Sequence, residues 1–432
     1  MTDYSDTPGY TVHADHPKSF KKKTKPASGA RGVEWADITK DLKPKRTCAN
    51  ARVAVEALGV RCRYDEFHDV LLIEGNDKGC LSKGNVDHAC HLLRIDMHTE
   101  FGFDPGKDNI HDAVIQLGLM HRFDPVQQYL DGLEWDGTPR IERWLSTYLS
   151  ADDSPLNREI GMLMLVAAVR RARSPGCKFD HIPVLEGDEG TLKSSTIELL
   201  AGGPENFSDQ TILGLSDRQQ QEQLRGKWLY EISELGGMKR AEVEHVKAFA
   251  SRTHDRSRPA YGRSIVDQPR RGIMIATTNN PTYLKSQTGD RRFWPVYTRV
   301  IDFEALRRDR DQLWAEAAHF ERTRMSLVLR RELWADAAAE QDQRLELDPW
   351  LDLLSDLEGE VVTGEDGLPV ERIATQAILL GTLKLAAGRA TSGDTARLKN
   401  VMNRLGWHGP DRMRFNSKQA RGYWRSVPVP AE

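Results

Sequence analysis

The chain has no run of apolar residues approaching the ~20 that a membrane-spanning helix needs. Its opening segment, MTDYSDTPGYTVHADHPK, has no apolar signal core. Both absences argue against a membrane protein. Cysteine is scarce, with five scattered through 432 residues. An odd, dispersed set in a long chain excludes a disulfide framework and fits the reduced thiols of a cytoplasmic protein. No period of roughly 20–50 residues recurs, which excludes a solenoid. Net charge is nearly absent as well: 61 Lys plus Arg against 64 Asp plus Glu leave −3. What is present is a charged fraction of 29% beside 39% hydrophobic residues, with a mean hydropathy of −0.57. That composition suits a globular protein, and the length allows two to four domains at roughly 100–200 residues each.

The near-neutral total conceals an uneven distribution. Residues 1–30 read as a disordered basic tail carrying Lys21, Lys22, Lys23 and Lys25. Residues 31–152 read as a mainly helical accessory domain, with NARVAVEALGV helical, YDEFHDVLLIEG a short hairpin and DHACHLLRIDMHTEFG helical again. Cys80, His88, Cys90 and His91 in this region lack a second cysteine pair for a zinc site and read as helix residues. A core follows over 153–345, opening with the apolar helix IGMLMLVAAVR and closing with charged helical sequence. The Gly- and acid-rich stretch 346–371 reads as a linker, and 372–432 as a small third unit.

The strongest motif is HIPVLEGDEGTLKSSTIELLAG, residues 181–202. An apolar strand runs into a loop, Gly187-Asp188-Glu189-Gly190-Thr191-Leu192, and then into a helix opening Lys193-Ser194-Ser195. Phosphate binding needs that order. Glycines let backbone N–H groups close around a phosphate, and the helix N-terminus adds partial positive charge. In such a loop Lys193 reaches the β/γ-phosphates of ATP and the Ser194 hydroxyl ligates Mg²⁺. Leu192 stands where G-x-x-x-x-G-K-[ST] has its second glycine.

Three further segments fit the same chemistry. GKWLYEISEL places Glu231 at the end of a short apolar run with Glu234 three residues on. Glu231 suits the metal side and Glu234 the activation of water, and the two roles are interchangeable at this level. GIMIATTNNP is a strand ending in Thr277, Thr278 and Asn279, and Asn279 is placed to orient water at a strand's carboxyl end. GDRRFWPV offers Arg291 and Arg292 as arginines acting in trans on a neighbour's nucleotide.

These residues make the block from about Phe123 to Val296 resemble the virulence-associated E family of phage and mobile-element proteins. The matching pieces are FDPVQQYLDGLEWDGTPRIERWL, SPGCKFDHIPVLEGDEGTLKSS, LRGKWLYEISEL, AEVEHVKAFASRTHDRSRPAYGR and TTNNPTYLKSQTGDRRFWPV. The resemblance implies an AAA+-like α/β P-loop NTPase core, related to superfamily 3 and poxvirus-type primase-helicases. It also implies a homo-oligomeric ring, a hexamer by preference, in replication of a phage or mobile element. The roughly 120 residues before the block are too few for a fused primase, so a separate primase is a possible partner. By the same resemblance, SRTHDRSRPAYGRSIVDQPRR sits where a hairpin grips the strand, with Arg256, Arg258, Tyr261 and Arg263 as contacts to single-stranded DNA. Arg252 and Lys247 are placed to reach a nucleotide across an interface.

From Arg397 to Arg425 there are eight Lys or Arg and one acid, Asp411, with Trp407, Phe415, Tyr423 and Trp424 interleaved. A helix followed by a basic hairpin is the pattern of a winged-helix-like, DNA-binding unit. The expectation is an ATP-dependent DNA motor. Its rivals are an ATPase switch that loads other replication proteins without unwinding, and an origin-binding protein whose nucleotide sets its oligomeric state.

Overall fold

A computed structural model describes residues 32–427 apart from 76–78, 84, 258–264, 286–289, 347, 364–366, 387–389 and 417. The chain divides into two compact units after Asp124.

The first unit holds α1 (Cys48–Ala57), α2 (Val86–Phe101) and α3 (Lys107–Met120) with strands β1 (Arg61–Asp65), β2 (Val70–Gly75), β3 (Gly79–Lys83) and β4 (Arg122–Phe123). The expected hairpin is β1–β2, paired antiparallel from Asp65–Val70. Its turn is held by Asp65 Oδ1, which accepts from the N–H groups of Phe67 and His68, both at 3.0 Å. Helices α1–α3 provide most of the unit's regular structure, and β3 and β4 extend the hairpin into a sheet of order β3-β2-β1-β4. Ile73, Leu93, Met97 and Val114 pack between that sheet and the helices.

The boundary expected near residue 152 falls earlier, for a reason visible in the contacts. The segment α4 (Pro125–Gly132) to α5 (Trp144–Leu149) is tied to a helix of the second unit 161 to 182 residues on. The hydroxyls of Tyr129 and Tyr148 donate to Asp311 (2.6 Å) and Asp309 (2.9 Å), and the Arg140 N–H donates to the Glu316 carboxylate (2.6 Å).

The second unit continues with α6 (Pro155–Arg173), β5 (Ile182–Glu186), α7 (Lys193–Ala201), β6 (Phe207–Ser208), α8 (Asp217–Leu224), β7 (Leu229–Ile232) and α9 (Arg240–Ala250). Then come β8 (His254–Ser257), β9 (Val266–Pro269), β10 (Ile273–Thr278), β11 (Phe293–Tyr297), α10 (Phe303–Arg322) and α11 (Trp334–Gln343). The central sheet has order β11-β5-β10-β7-β6 with every pairing parallel. Strands β5, β7 and β10 are buried along their whole length, as a parallel sheet covered on both faces requires. Ser154 caps α6 by accepting from the Asn157 N–H, Pro155 opens it, and Arg170, Arg171 and Arg173 complement its C-terminal dipole. Trp228 and Trp314 pack with ring centres 4.3 Å apart and their planes tilted by 32°. Their indole N–H groups donate to the carbonyls of Ala168 and Leu200, which welds α6, α7 and α10 to the sheet.

The remainder is a four-stranded antiparallel sheet of order β12-β13-β15-β14, with α12 (Trp350–Leu354), β12 (Glu360–Thr363), β13 (Pro369–Ala374), α13 (Ser392–Arg404), β14 (His408–Phe415) and β15 (Lys418–Ser426). The helix–hairpin order expected from the sequence is present as α13, β14 and β15. The stretch 346–371 is not a linker: it supplies α12, β12 and the start of β13. Val361, Val362 and Val370 give it a strand pattern, and Gly367 with φ 82° serves the bend. The whole is a mixed α/β protein with a parallel-strand sheet.

His181, just before β5, stacks on Trp294 at 4.1 Å. Burial pushes its pKa down from 6.5 to about 4, against the pull of Asp180. The unfolded chain therefore binds more protons between those values, so stability is full above pH 6.5 and is lost as pH falls toward 4. The loss amounts to roughly 3 kcal/mol at about 1.4 kcal/mol per unit. His181→Phe, which keeps the stack, is expected to flatten this dependence in urea unfolding compared at pH 7 and pH 4.5.

Candidate active site

The site is built at the carboxyl ends of β5, β7 and β10. Side chains alternate along a strand, so Glu231 on β7 and Thr277 on β10 point to the face occupied by α7, opposite Tyr230, Ile232 and Met274 in the other core. Ser194, in the first turn of α7, donates to Glu231 Oε1 at 2.8 Å. Thr277 donates to the same oxygen at 2.5 Å. Glu231 is 1% exposed, and its Oε2 is buried without a hydrogen-bond partner. A buried carboxylate oxygen left open beside a serine hydroxyl is a hard-oxygen donor pair of the kind Mg²⁺ takes, that ion commonly using one or two protein ligands and filling the rest with water and phosphate. Among the described residues no cluster of three or more His, Cys, Asp or Glu forms a self-sufficient metal site.

The loop from Gly187 to Leu192 closes over this network. Gly187, at φ 152°, lies so near Thr298 that a Cβ would sit 2.7 Å from its carbonyl oxygen. Lys193 bends back, its Nζ donating to the carbonyls of Gly187 (2.9 Å) and Asp188 (2.6 Å) and to Thr191 Oγ1 (3.1 Å). Burial lowers its pKa, with Asp188, Glu231 and Glu189 opposing that shift. Leu192 at the N-cap gives α7 no side-chain cap, so the first-turn N–H groups keep their capacity for an external acceptor. Asp188, Glu189 and Gly190 are exposed along the loop, and Ser195 is half-buried in the first turn.

Glu234 and Asn279 flank the network without joining it. Glu234 is exposed, with φ 54°. Asn279 is exposed just past β10, while its neighbour Asn280 is fixed by Thr278 and Thr282. Gly236 brings the Glu234 turn against Asn280, where a Cβ would meet the Asn280 Cβ at 2.5 Å.

Arg291 and Arg292 lie at the opposite edge of the sheet. Phe293 pairs with Ile182, so both arginines precede the amino ends of β11 and β5. A five-residue strand, about 16 Å, separates them from the loop. Arg292 Nε donates to Asp180 at 3.3 Å, and Arg291 is exposed.

Other basic residues are divided by the structure. Arg256 is exposed on β8, opposite Asp267; Arg258, Tyr261 and Arg263 lie outside the described residues. Arg270 is buried and grips Asp255 with two 2.7 Å bonds over the Phe249 ring. Lys247, expected at an interface, is 2% exposed and is ion-paired with Asp290 and Glu244. Arg252 pairs with Asp217 at 3.0 Å.

Sequence reasoning missed one buried cluster. Glu186, the last residue of β5, takes Arg344 Nε and Nη2 at 2.8 and 2.9 Å and the Tyr283 hydroxyl at 2.7 Å. Burial raises the Tyr283 pKa well above its usual value, and Glu186 adds to it. The only signal was an acid ending an apolar strand; its partner is 158 residues away.

The virulence-associated protein E-like domain matches residues 130–346, half of the chain, and the protein belongs to that family. Among solved structures, the apo NrS-1 C-terminal region aligns over 88% of this chain and 99% of that one, at 12% identity and a TM-score of 0.46. Its A form aligns over 87% and 99%, at 12% identity and 0.49. The JCV helicase aligns over 62% and 86%, at 10% identity and 0.27. No curated protein matches the chain.

Leu192 adopts φ 64° and ψ 24° with 47% exposure. A left-handed non-glycine residue costs roughly 1–2 kcal/mol, which exceeds the entropic cost of a glycine, about 0.5–1 kcal/mol. Leu192→Gly is therefore expected to raise the urea midpoint by up to about 1 kcal/mol of stability. A fall would show that the leucine side chain itself holds the loop.

Proposed function

We propose that the protein is an ATP-dependent DNA motor of a phage or mobile element, a replicative helicase-like ATPase acting as a ring, with a hexamer favoured. The observation that carries this reading is the juxtaposition of Lys193, Ser194 and Glu231, with its open Oε2, at an uncapped helix N-terminus. In this reading the loop amides and Lys193 bind the β- and γ-phosphates of ATP. Mg²⁺, held by Ser194 and Glu231, would neutralise phosphate charge. Glu234 takes the proton of the attacking water as its oxygen bonds to the γ-phosphorus and the bond to the β-phosphate oxygen breaks; Asn279 orients that water. Thr277 fixes the Glu231 rotamer.

The placement of Arg291 and Arg292 at the far edge of the sheet supports a role toward a neighbouring subunit's nucleotide, since a side chain cannot span a strand's length back to its own loop. Arg256 on β8 supports contact with single-stranded DNA by that hairpin. A loader or a nucleotide-gated origin binder would share the ATP site, and strand displacement on forked DNA separates the motor from both.

Lys193→Ala is expected to abolish ATP turnover, by at least about 100-fold, while circular dichroism remains that of the parent. Normal turnover would remove Lys193 from the site. Arg292→Ala is expected to bind a fluorescent nucleotide normally and lose turnover in the assembled state, whereas Asp180→Asn, which breaks the same ion pair, keeps turnover. Equal loss in both variants would make the pair structural and sink the role in trans.

A further inference from the structure

Between the parallel-sheet core and the C-terminal sheet lies a groove of about 410 Å³ that the reading above does not use. One wall is a single stripe of α13, where Gly393, Arg397, Asn400 and Arg404 recur at helical spacing. The other wall carries Arg240, the first residue of α9, and Lys285, which follows β10. Four cations therefore face two carboxylates, Glu346 and Asp348, leaving an excess of two positive charges.

The two pairs leave the groove's charge partly free. Lys285 contacts Glu346 at 3.2 Å. Arg397 binds Asp348 through Nε and Nη2, both at 2.7 Å, and lies over the Trp350 ring at 4.1 Å. Its guanidinium is thus held rigid, with Nη1 left for another acceptor. Arg240 and Arg404 are exposed, and neither forms an ion pair among the described residues. Their separate origins matter: Arg240 comes from the motor core and Arg404 from the last turn of α13.

Two unpaired arginines and one preorganised one, with an amide between them, form a set of planar donors suited to phosphate oxygens. None of the described residues lining the groove is aromatic, and the neighbouring Trp350 ring is covered by Arg397, so the recognition on offer is of a backbone rather than of stacked bases. An acidic peptide would share the charge but would bring apolar anchors, for which the groove offers few exposed partners.

We propose that this groove holds the phosphodiester backbone of a nucleic-acid strand, with Arg240 and Arg404 as its principal contacts. The proposal rests on the reading of the protein as a DNA motor, and it adds a second track beside the β8–β9 hairpin. It also links that track to ATP. Arg240 is six residues from Glu234 and Lys285 six from Asn279, so the wall opposite α13 lies a short stretch of chain from the candidate active site.

The test uses the full chain and a fluorescein-labelled oligothymidylate, read by anisotropy across a salt series. Each lost phosphate contact on a single strand lowers the log–log salt slope by roughly 0.7, so Arg240→Gln with Arg404→Gln is expected to lower it by about 1.4 and to weaken binding about 25-fold at 0.1 M salt. Asn400→Asp, a milder change that puts a third carboxylate in the groove, is expected to weaken binding in the same direction and decides the matter if the double variant misfolds. Lys399→Gln, on the same helix but outside the groove, gives the reference for general charge loss. Unchanged affinity and slope overturn the proposal, as does an effect no larger than that of Lys399→Gln. Loss of polyglutamate binding with oligothymidylate binding intact overturns it in favour of an acidic protein partner. ATP turnover without DNA is measured in parallel and is expected to match the parent. If the parent itself shows no turnover, the motor reading fails while the anisotropy result still judges the groove.

Discussion

The buried carboxylate of Glu186 is the point on which the second unit hangs. It ends β5, immediately before the Gly187–Leu192 loop, and it is 4% exposed. Its backbone carbonyl accepts from both the N–H and the hydroxyl of Thr298 after β11. Its side chain accepts from Tyr283, beyond β10, and from Arg344, at the end of α11. Three distant stretches therefore meet at one residue immediately before Gly187. Removing one partner of such a pair leaves an uncompensated buried charge, at a cost of about 3–5 kcal/mol. The same contacts carry forward: Leu284 and Leu345 form a bridge, and Arg344 leads within four residues to Asp348 and the Arg397 pair. The loop, the strand ends and the C-terminal sheet are thus mechanically continuous through a handful of polar bonds.

The chain's charge balance takes on meaning from burial. Arg270 and Lys247 lie in a stretch that looks basic in sequence, yet each is satisfied internally by a buried acid. Arg425 likewise binds Glu371 and covers Trp407. Arg256, Arg240 and Arg404 remain at the surface. A basic cluster in sequence is therefore a mixture of cement and contact surface, and local composition does not distinguish them. The distinction arises because desolvation forces every buried guanidinium to find a carboxylate or carbonyls, while a solvated one needs neither.

Much of the candidate site was legible. The order strand, glycine loop, Lys193-Ser194, then apolar strands ending in Glu231 and in Thr277-Thr278-Asn279, follows from local pattern, and each segment takes the expected secondary structure. Geometry separated Glu231 from Glu234: the former contacts Ser194 and the latter stands clear in a left-handed turn. Thr277 was visible as a polar strand end, but its bond to Glu231 depends on parallel pairing of β7 with β10, which no local window contains. The first unit's sheet was only half legible, since β3 and β4 are short and gain strand character from pairing.

The sequence by itself determined the apolar runs that had to become buried parallel strands, the glycines that had to turn, and the residue types able to meet phosphate and a hard cation. Those are consequences of side-chain chemistry and backbone sterics over a few residues. Only the tertiary structure decided which acid is buried, which arginines are spent on internal pairs, and that 346–371 is sheet rather than linker. It also decided that Glu186 and Arg344 form a lock and that α9 and α13 enclose a charged groove. Each of these depends on partners many residues apart, and the free energy of such a contact exists only once the chain has brought them together and excluded water.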